Sequence, residues 1–362
     1  SQAVEIVHKE AARLGKPNPV AEEKDSADAA EEPADSLEKA MSDLNELIGL
    51  QRVKKEITTL TNFLDLQRHR EAAGLPKHEL SLHMVFKGNP GTGKTTVARI
   101  VGRVFKALGL LEKGHLVETD RSGLVAEYAG QTGPKVNKKI DEALDGILFI
   151  DEAYSLVTSA QEDAYGLEAI QAIVKRMEDD RNRLIVVLAG YPEPIDALLQ
   201  SNPGLTSRFN TQMHFDDYAA TDLGRIFELM CQANHYKLRS STRVRILRGF
   251  SHLFESRDEH FGNGRLVRNT FENAIRRLAN RVADIAPVTR ELLTVFTDED
   301  INMDISPSVW TELEASMTRF CVTCQKCDKT AKANIDHLGK RLGCPRCKQP
   351  LETKWGEPLR EN

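Results

Sequence analysis

The stretch "HMVFKGNPGTGKTTVARIVGRVF" (residues 83–105) decides the fold. Its first part completes "LHMVF" (82–86), an apolar run of strand length, and "GNPGTGKT" (88–95) follows almost at once. From Thr95 onward apolar residues recur at helical spacing as far as residue 108. A glycine-rich loop between a strand and the head of a helix is suited to phosphate. The glycines let backbone N–H groups turn inward onto phosphate oxygens, and the helix N-terminus adds its partial charge. Lys94 brings a positive charge to the β- and γ-phosphates, and Thr95 offers a hydroxyl to Mg²⁺. The expected cradle is Gly88, Asn89, Pro90, Gly91, Thr92, Gly93, Lys94, Thr95 and Thr96, with ATP and Mg²⁺ as ligands.

A metal needs a second acidic element, and "GILFIDEA" (146–153) supplies it at the end of another apolar run. Asp151 is placed to hold Mg²⁺ directly or through water. Glu152 is placed to polarise the attacking water, which requires a carboxylate within one hydrogen bond of the nucleophile.

Five short apolar runs (82–86, 115–119, 147–151, 184–190 and 213–217) alternate with helical stretches (95–108, 135–144 and 166–179). Buried strands alternating with helices predict an α/β fold, a parallel sheet with helices on both faces. Beyond about residue 218 strand signals nearly vanish. Amphipathic helices at 220–236, 244–256 and 265–285 predict a helical lid. Residues 1 to about 40 join a short helical pattern (Val4, Ile6, Val7, Ala11, Leu14) to the acidic "KPNPVAEEKDSADAAEEPAD" (16–35). So few large apolar residues predict a disordered linker. The expected organisation is an N-terminal helix and linker over 1–42, the nucleotide-binding domain over 43–218 and the lid over 219–303. A linker helix over 304–320 then leads to a cysteine-rich tail over 321–362.

With 362 residues, 40% of them hydrophobic, the chain can bury at least one large core. A net charge of -5 makes no whole-chain case for nucleic acid. The sequence has no 18-residue apolar run and no signal-peptide pattern, so the expectation is a cytoplasmic protein without membrane insertion.

Five of the six cysteines fall within 321–347, and Cys231 stands alone. In "CVTCQKCDKTAKANIDHLGKRLGCPRCKQPLE" (321–352), Cys324 and Cys327 form one C-x2-C pair, and Cys344 and Cys347 form another sixteen residues on. That spacing reads as a zinc ribbon, four thiolates closing a tetrahedral Zn²⁺ site. Cys321 makes a competing pair with Cys324. Cys324 and Cys327 are preferred because "CQKCDKT" resembles a ribbon knuckle facing "CPRCKQP". His337 sits mid-segment, which argues against it as a ligand. So short a tail would take most of its folding energy from the metal, about 10–16 kcal/mol. The tail is basic but has little aromatic interleaving beyond Trp355. It therefore reads as a docking module for a protein partner more than a grip on nucleic acid.

Taken together, these motifs resemble the AAA+ ATPases. Within them the chain looks most like the group containing the red-type Rubisco activase CbbX, the sporulation protein SpoVK and the ATPases of type VII secretion. The resemblance covers residues 44–302 and includes "ELIGLQRVKKEI" (46–57), "FIDEAYSL" (149–156) and "VVLAGYPEPIDALLQSNPGLTSRF" (186–209). It implies that Ile48 and Gly49 pack on the adenine. It also implies that Arg208 is an arginine finger reaching into a neighbouring subunit, and hence a homo-hexamer. Arg265 matches the sensor-2 position, with Arg268 as its rival. Tyr191 stands where many members carry an Asn or Thr that positions water. In "GLVAEYAGQTGP" (123–134), Tyr128, Ala129 and Gly130 fall where such motors carry a pore loop that grips polypeptide. The implied function is an ATP-driven remodelling motor acting on an unidentified protein target. A nucleic-acid-associated ATPase using the ribbon and a nucleotide-dependent scaffold are the alternatives. The CbbX type is not defined by such a tail.

Overall fold

The computed structural model describes residues 36–76, 81–128, 130–157 and 163–360. The N-terminal helical pattern, the acidic stretch up to residue 35 and Ala129 lie outside the described residues. Contacts divide the chain near residue 217 into two units.

The first unit opens with α1 (Leu37–Glu46), capped by the Ser36 side chain, which accepts from the Lys39 N–H, and continues into α2 (Gln51–Ala72). Next come β1 (Met84–Gly88), α3 (Lys94–Ala107), β2 (Leu116–Thr119) and the single turn α4 (Arg121–Leu124). Then follow α5 (Thr132–Ala143), β3 (Gly146–Ile150), α6 (Ala164–Asp179), β4 (Leu184–Gly190), α7 (Pro192–Ser201), α8 (Pro203–Arg208) and β5 (Thr211–Phe215). The expected 43–218 boundary starts too late. Ala40 and Leu44 of α1 are fully buried in the sheet's core, so the folded body reaches back to Leu37.

The sheet runs β2-β3-β4-β1-β5, and every pairing is parallel. β1, β3 and β4 are buried at every position, while the edge strands β2 and β5 are partly open. Alternate residues feed separate cores. Phe86, Phe149 and Val187 face α1, α2 and α3, whereas Val85, Leu148 and Val186 face α5, α6 and α7. That is how a continuous apolar run behaves when helices cover both faces.

The second unit begins with α9 (Ala220–Ala233), β6 (Lys237–Leu238), α10 (Ser240–Glu255), α11 (Asn263–Val282), α12 (Arg290–Thr294) and β7 (Val295–Phe296). Phe227, Phe250, Phe271 and Phe296 pack as a ring cluster at its centre. α13 (Pro307–Ser316), expected as a linker helix, packs on α10: Trp310 is buried, and a Cβ on Gly249 would lie 2.3 Å from Met303 Sδ and 3.0 Å from the Trp310 ring. The tail carries β8 (Arg319–Thr323), β9 (Thr330–Asn334), β10 (Leu342–Gly343), β11 (Pro350–Leu351) and β12 (Glu357–Leu359). These pair antiparallel as a β12-β8-β9 sheet and a β10-β11 hairpin. The tail fold thus starts two residues before the expected boundary, since Phe320 of β8 is fully buried. Among the described residues no helix is long and apolar enough to cross a membrane.

Leu44→Ala tests whether α1 belongs to the body. Urea unfolding of the first unit should show a loss of about 2–5 kcal/mol, the usual cost of such a cavity. A change under about 0.5 kcal/mol, as at a surface site, would mean α1 is dispensable.

Candidate nucleotide site and four-cysteine centre

In a parallel sheet all the C-terminal strand ends emerge at one edge, which is where open α/β sheets bind ligands. The phosphate loop leaves β1 there, Asp151 and Glu152 leave β3, Tyr191 leaves β4, Asp217 follows β5 and the Tyr128 loop follows β2. Gly88 must be glycine, because a Cβ would lie 2.4 Å from the Phe215 carbonyl oxygen. Gly91 and Gly93 take φ of 73° and 93°, the left-handed conformation that turns backbone N–H groups into the loop's hollow.

Side chains brace this loop. Thr92 Oγ1 donates to the Asn89 carbonyl at 2.8 Å, and Lys94 Nζ donates to the carbonyls of Gly88 and Asn89, both at 2.9 Å. Asn89 Nδ2 donates to the Asp217 carboxylate at 3.0 and 3.2 Å. Pro90 and Thr96 lie in the loop and the first turn of α3. Asp217 did not emerge from the sequence, although an acid just past the last strand was the available signal. Glu118 of β2 was missed too. Its Oε1 lies 3.5 Å from Thr95 Oγ1, adding a carboxylate to the Thr95 side of the site.

Asp151 is held by its own backbone. Its N–H donates to the Thr119 carbonyl at 2.8 Å, and its Oδ1 accepts from the Glu152 N–H at 3.0 Å. Glu152 has φ 47°, uncommon for a residue with a side chain and a form of strain that clusters at functional sites. Tyr191 precedes the first turn of α7, and its ring packs 5.8 Å from that of Tyr154. Burial, then the Glu152 charge, pushes the Tyr154 phenol up to about 12, keeping it neutral. Ile48 and Gly49 lie in the reversal between α1 and α2, where Gly49 and Leu50 are both left-handed. Lys54 closes that turn by donating to the carbonyls of Asn45 and Leu47.

Arg121 ties the start of the Tyr128 segment to the turn after Glu152. It donates to the carbonyls of Ser155 and Leu156 at 2.8 and 3.0 Å and pairs with Asp163 at 2.6 Å. Tyr128 itself is 67% exposed, and Gly130 is left-handed at φ 75°.

Arg208 is not at this edge. Met84 pairs with Thr211 and Gly88 with Phe215, so the two ends of that ladder lie about 13 Å apart. Arg208 precedes Thr211 and lies beyond the far end. There it donates to Glu178 Oε2 at 3.0 Å and to the Gly204 carbonyl at 3.3 Å. It therefore sits away from its own chain's phosphate loop. Beside it, burial holds His83 down to about 4, and its Nδ1 accepts from the Val186 N–H at 3.0 Å. In the second unit, Arg265 and Arg268 are both exposed on α11, so exposure does not separate the two.

Cys324, Cys327, Cys344 and Cys347 bring four sulfurs within 4.8 Å of one another. Cys324 lies 3.6 Å from Cys347, and Cys327 lies 3.6 Å from Cys344. Zinc–sulfur bonds near 2.3 Å imply a tetrahedron edge of about 3.8 Å, so this donor set fits Zn²⁺. Backbone N–H groups of Cys347 and Arg346 hold the Cys344 thiol down to about 6, whereas, despite the Lys329 N–H, burial and the sulfurs of Cys347, Cys344 and Cys324 drive Cys327 up to about 12. Cys321, the competing ligand, points elsewhere, with its sulfur 3.7 Å from Glu357 Oε2.

A phosphate loop on a parallel sheet with an acid pair on a nearby strand defines a P-loop nucleotide hydrolase. Residues 84–217 match the ATPase family associated with various cellular activities (AAA), and residues 219–309 match the AAA lid domain. Stage V sporulation protein K of Bacillus subtilis is 41% identical over 68% of this chain and 76% of its own. The chloroplastic ribulose bisphosphate carboxylase/oxygenase activase of Cyanidioschyzon merolae is 40% identical, over 68% and 84%. Protein CbxX (plasmid) of Cupriavidus necator is 40% identical, over 71% and 81%. The crystal structure of the FIGL-1 AAA domain in complex with ADP superposes with TM-score 0.50 at 17% identity, covering 75% of this chain and 87% of that one, a likeness of fold. The chain belongs to the AAA+ ATPases, in the group of SpoVK and CbbX/CfxQ, and is an ATP-hydrolysing enzyme using nucleotide and Mg²⁺.

His83 gives the first unit a pH dependence of known sign. Its unfolded form takes up a proton near pH 6.5, but its folded form does so only near 4. Stability is therefore present above pH 6.5 and falls as pH drops towards 4, by up to about 3 kcal/mol from this group. Denaturant midpoints across that window should show a shallower fall in His83→Gln. Equal slopes in both proteins would remove His83 as the cause.

Proposed function

We propose that this ATPase is a protein-remodelling motor that works as a ring, most simply a homo-hexamer, and grips its target through Tyr128. The observation that carries the reading is the exposure of Tyr128, 67% open on a loop that ends in left-handed Gly130. Few large hydrophobic side chains are this exposed, and a rigid ring can wedge against an extended polypeptide with little loss of side-chain entropy. In the sequence Ala129 and Gly130 follow Tyr128 directly. Arg121 gives the nucleotide edge a route to it through the turn after Glu152.

The chemistry is assigned by residue. The loop from Gly88 to Thr96 cradles the phosphates, with Lys94 on the β- and γ-phosphates. Thr95 and Asp151 hold Mg²⁺, and Glu152 polarises the attacking water. Ile48 and Gly49 take the adenine. Tyr191 and Arg265 contribute at the edges of the site, one as a neighbour of the attacking water and the other from the lid. Arg208 supplies the finger. Its place beyond the opposite end of β1 from the phosphate loop supports action on a neighbouring subunit, and that supports a ring.

Zn²⁺ is assigned to Cys324, Cys327, Cys344 and Cys347 as a closed structural site. The nucleic-acid reading loses support because Phe320 and Trp355 of the tail are both buried and neither offers a stacking face. The similar proteins carry names tied to sporulation and to the activation of ribulose bisphosphate carboxylase/oxygenase. A protein target suits that range, and its identity is a matter for capture.

Glu152→Gln should retain ATP binding and lose turnover by about 10²–10⁴-fold. That variant, loaded with ATP, should hold its target for identification by mass spectrometry. Arg208→Ala should lower turnover by about 10³-fold or more without weakening nucleotide binding. Wild-type turnover in either variant would remove that residue from its role. Tyr128→Ala should keep ATPase activity but lose release or unfolding of the captured target, and intact remodelling would end the gripping proposal. Cys344→Ser should fall well below one zinc per chain, and undiminished zinc would sink the ligand assignment.

A further inference from the structure

Trp355 lies in the tail beyond Cys347, yet its indole is seated in the lid. It rests on α9 at Gly224, where a Cβ would come within 2.5 Å of ring atoms Cε3 and Cζ3. The indole N–H donates to Glu228 Oε2 of α9 at 2.7 Å. Arg243 of α10 donates to both oxygens of the same carboxylate, at 2.9 and 2.7 Å, and its guanidinium lies 5.4 Å from the indole centre. Burial works against the Glu228 charge, but the Arg243 guanidinium and the Trp355 N–H outweigh it and hold the carboxyl below its usual range.

Trp355 is 3% exposed and Glu228 is 9% exposed. Losing the indole would cost the buried Glu228 carboxylate one hydrogen-bond donor and leave a gap against Gly224. The indole is therefore a structural part of the joint between α9 and α10. Other ties flank it. Arg248 of α10 donates to the carbonyls of Glu314 and Met317 at 3.2 and 3.1 Å, and Arg360 pairs with Glu255 at 2.5 Å.

On the tail side, Gly356 packs so closely under Phe320 that a Cβ would lie 2.4 Å from the ring. The Gly339 N–H donates to the Thr353 carbonyl at 2.7 Å. The tail's own apolar core is only a handful of side chains, among them Phe320, Ile335, Leu338 and Leu351. So small a core does not fold unaided. The four sulfurs bring together the β8–β9 and β10–β11 hairpins, and Trp355 follows directly from the second.

We infer that the four-cysteine centre braces the lid: metal bound there keeps the tail folded, and the tail keeps Trp355 seated between α9 and α10. This rests on the metal reading of the four cysteines. The lid-facing side of the tail is then already occupied.

The chain has two tryptophans, so Trp310→Phe leaves Trp355 as the sole emitter. In that protein, emission is followed with zinc bound, after removal by a high-affinity chelator, and after zinc is restored. Trp355 emission should be blue-shifted with zinc, move to the red without it, and recover when zinc returns. If Trp310→Phe does not fold, hydrogen exchange over α9 and α10 in the unmodified chain carries the same reading, with protection lost and regained. Trp355→Ala should keep one zinc per chain yet lower the lid's melting temperature by more than about 5 °C. Trp355 that stays buried after zinc removal would overturn the brace and leave the zinc site standing. An unmodified chain that takes up no zinc would overturn the metal reading itself. An unchanged melt in Trp355→Ala would show that the indole is not the link.

Discussion

Strand direction is the constraint on which the first unit depends. Because β1 to β5 all point the same way, the sheet has two chemically different edges. The phosphate loop, Asp151, Glu152, Tyr191 and the Tyr128 loop follow C-terminal strand ends, while Arg208 lies beyond the N-terminal ends. Gly88 against the Phe215 carbonyl fixes how near β1 and β5 approach at the phosphate end, and no residue with a Cβ can replace it without moving a strand. One edge can assemble a nucleotide site from several strands, and the other can present a cation to a different molecule.

The phosphate loop, the acid pair and the parallel sheet were legible because each depends on local sequence: glycine spacing, a carboxylate at a strand end, uninterrupted apolar runs. The clustering of four cysteines was legible from spacing in the same way. What the sequence hid was tertiary. Glu118 looks like any exposed strand acid until Thr95 is found beside it, and Asp217 looks like a strand cap until Asn89 reaches it. α1 hid behind an acidic neighbourhood, although Ala40 and Leu44 point into the core. Trp355 read as the lone aromatic of a basic tail. Its partners Gly224, Glu228 and Arg243 lie more than a hundred residues away, and no local pattern announces them.

The same contrast explains the tail. Composition and spacing describe it as a small metal-dependent module, and its four sulfurs lie within 4.8 Å of one another. Composition gives no information about which surface the module rests on. The family matches stop at residue 309, just before the tail begins. Yet α9 and α10 carry a glycine without room for a side chain and an ion pair completed by the tail's indole. The lid of this chain is built around its appendage.

The alternating burial of the central strands carries a consequence for how the sequence can change. Phe86, Phe149 and Val187 belong to one core, and their immediate neighbours Val85, Leu148 and Val186 belong to the other. The sheet acts as a partition between two independently packed volumes. Substitutions that compensate for one another must lie on the same side of it, two positions apart along a strand or across to the next. A single inserted or deleted residue within β1, β3 or β4 would exchange the contents of the two volumes beyond that point. Length variation among descendants of this chain should therefore collect in its connections, while these three strands change letter by letter and keep their length.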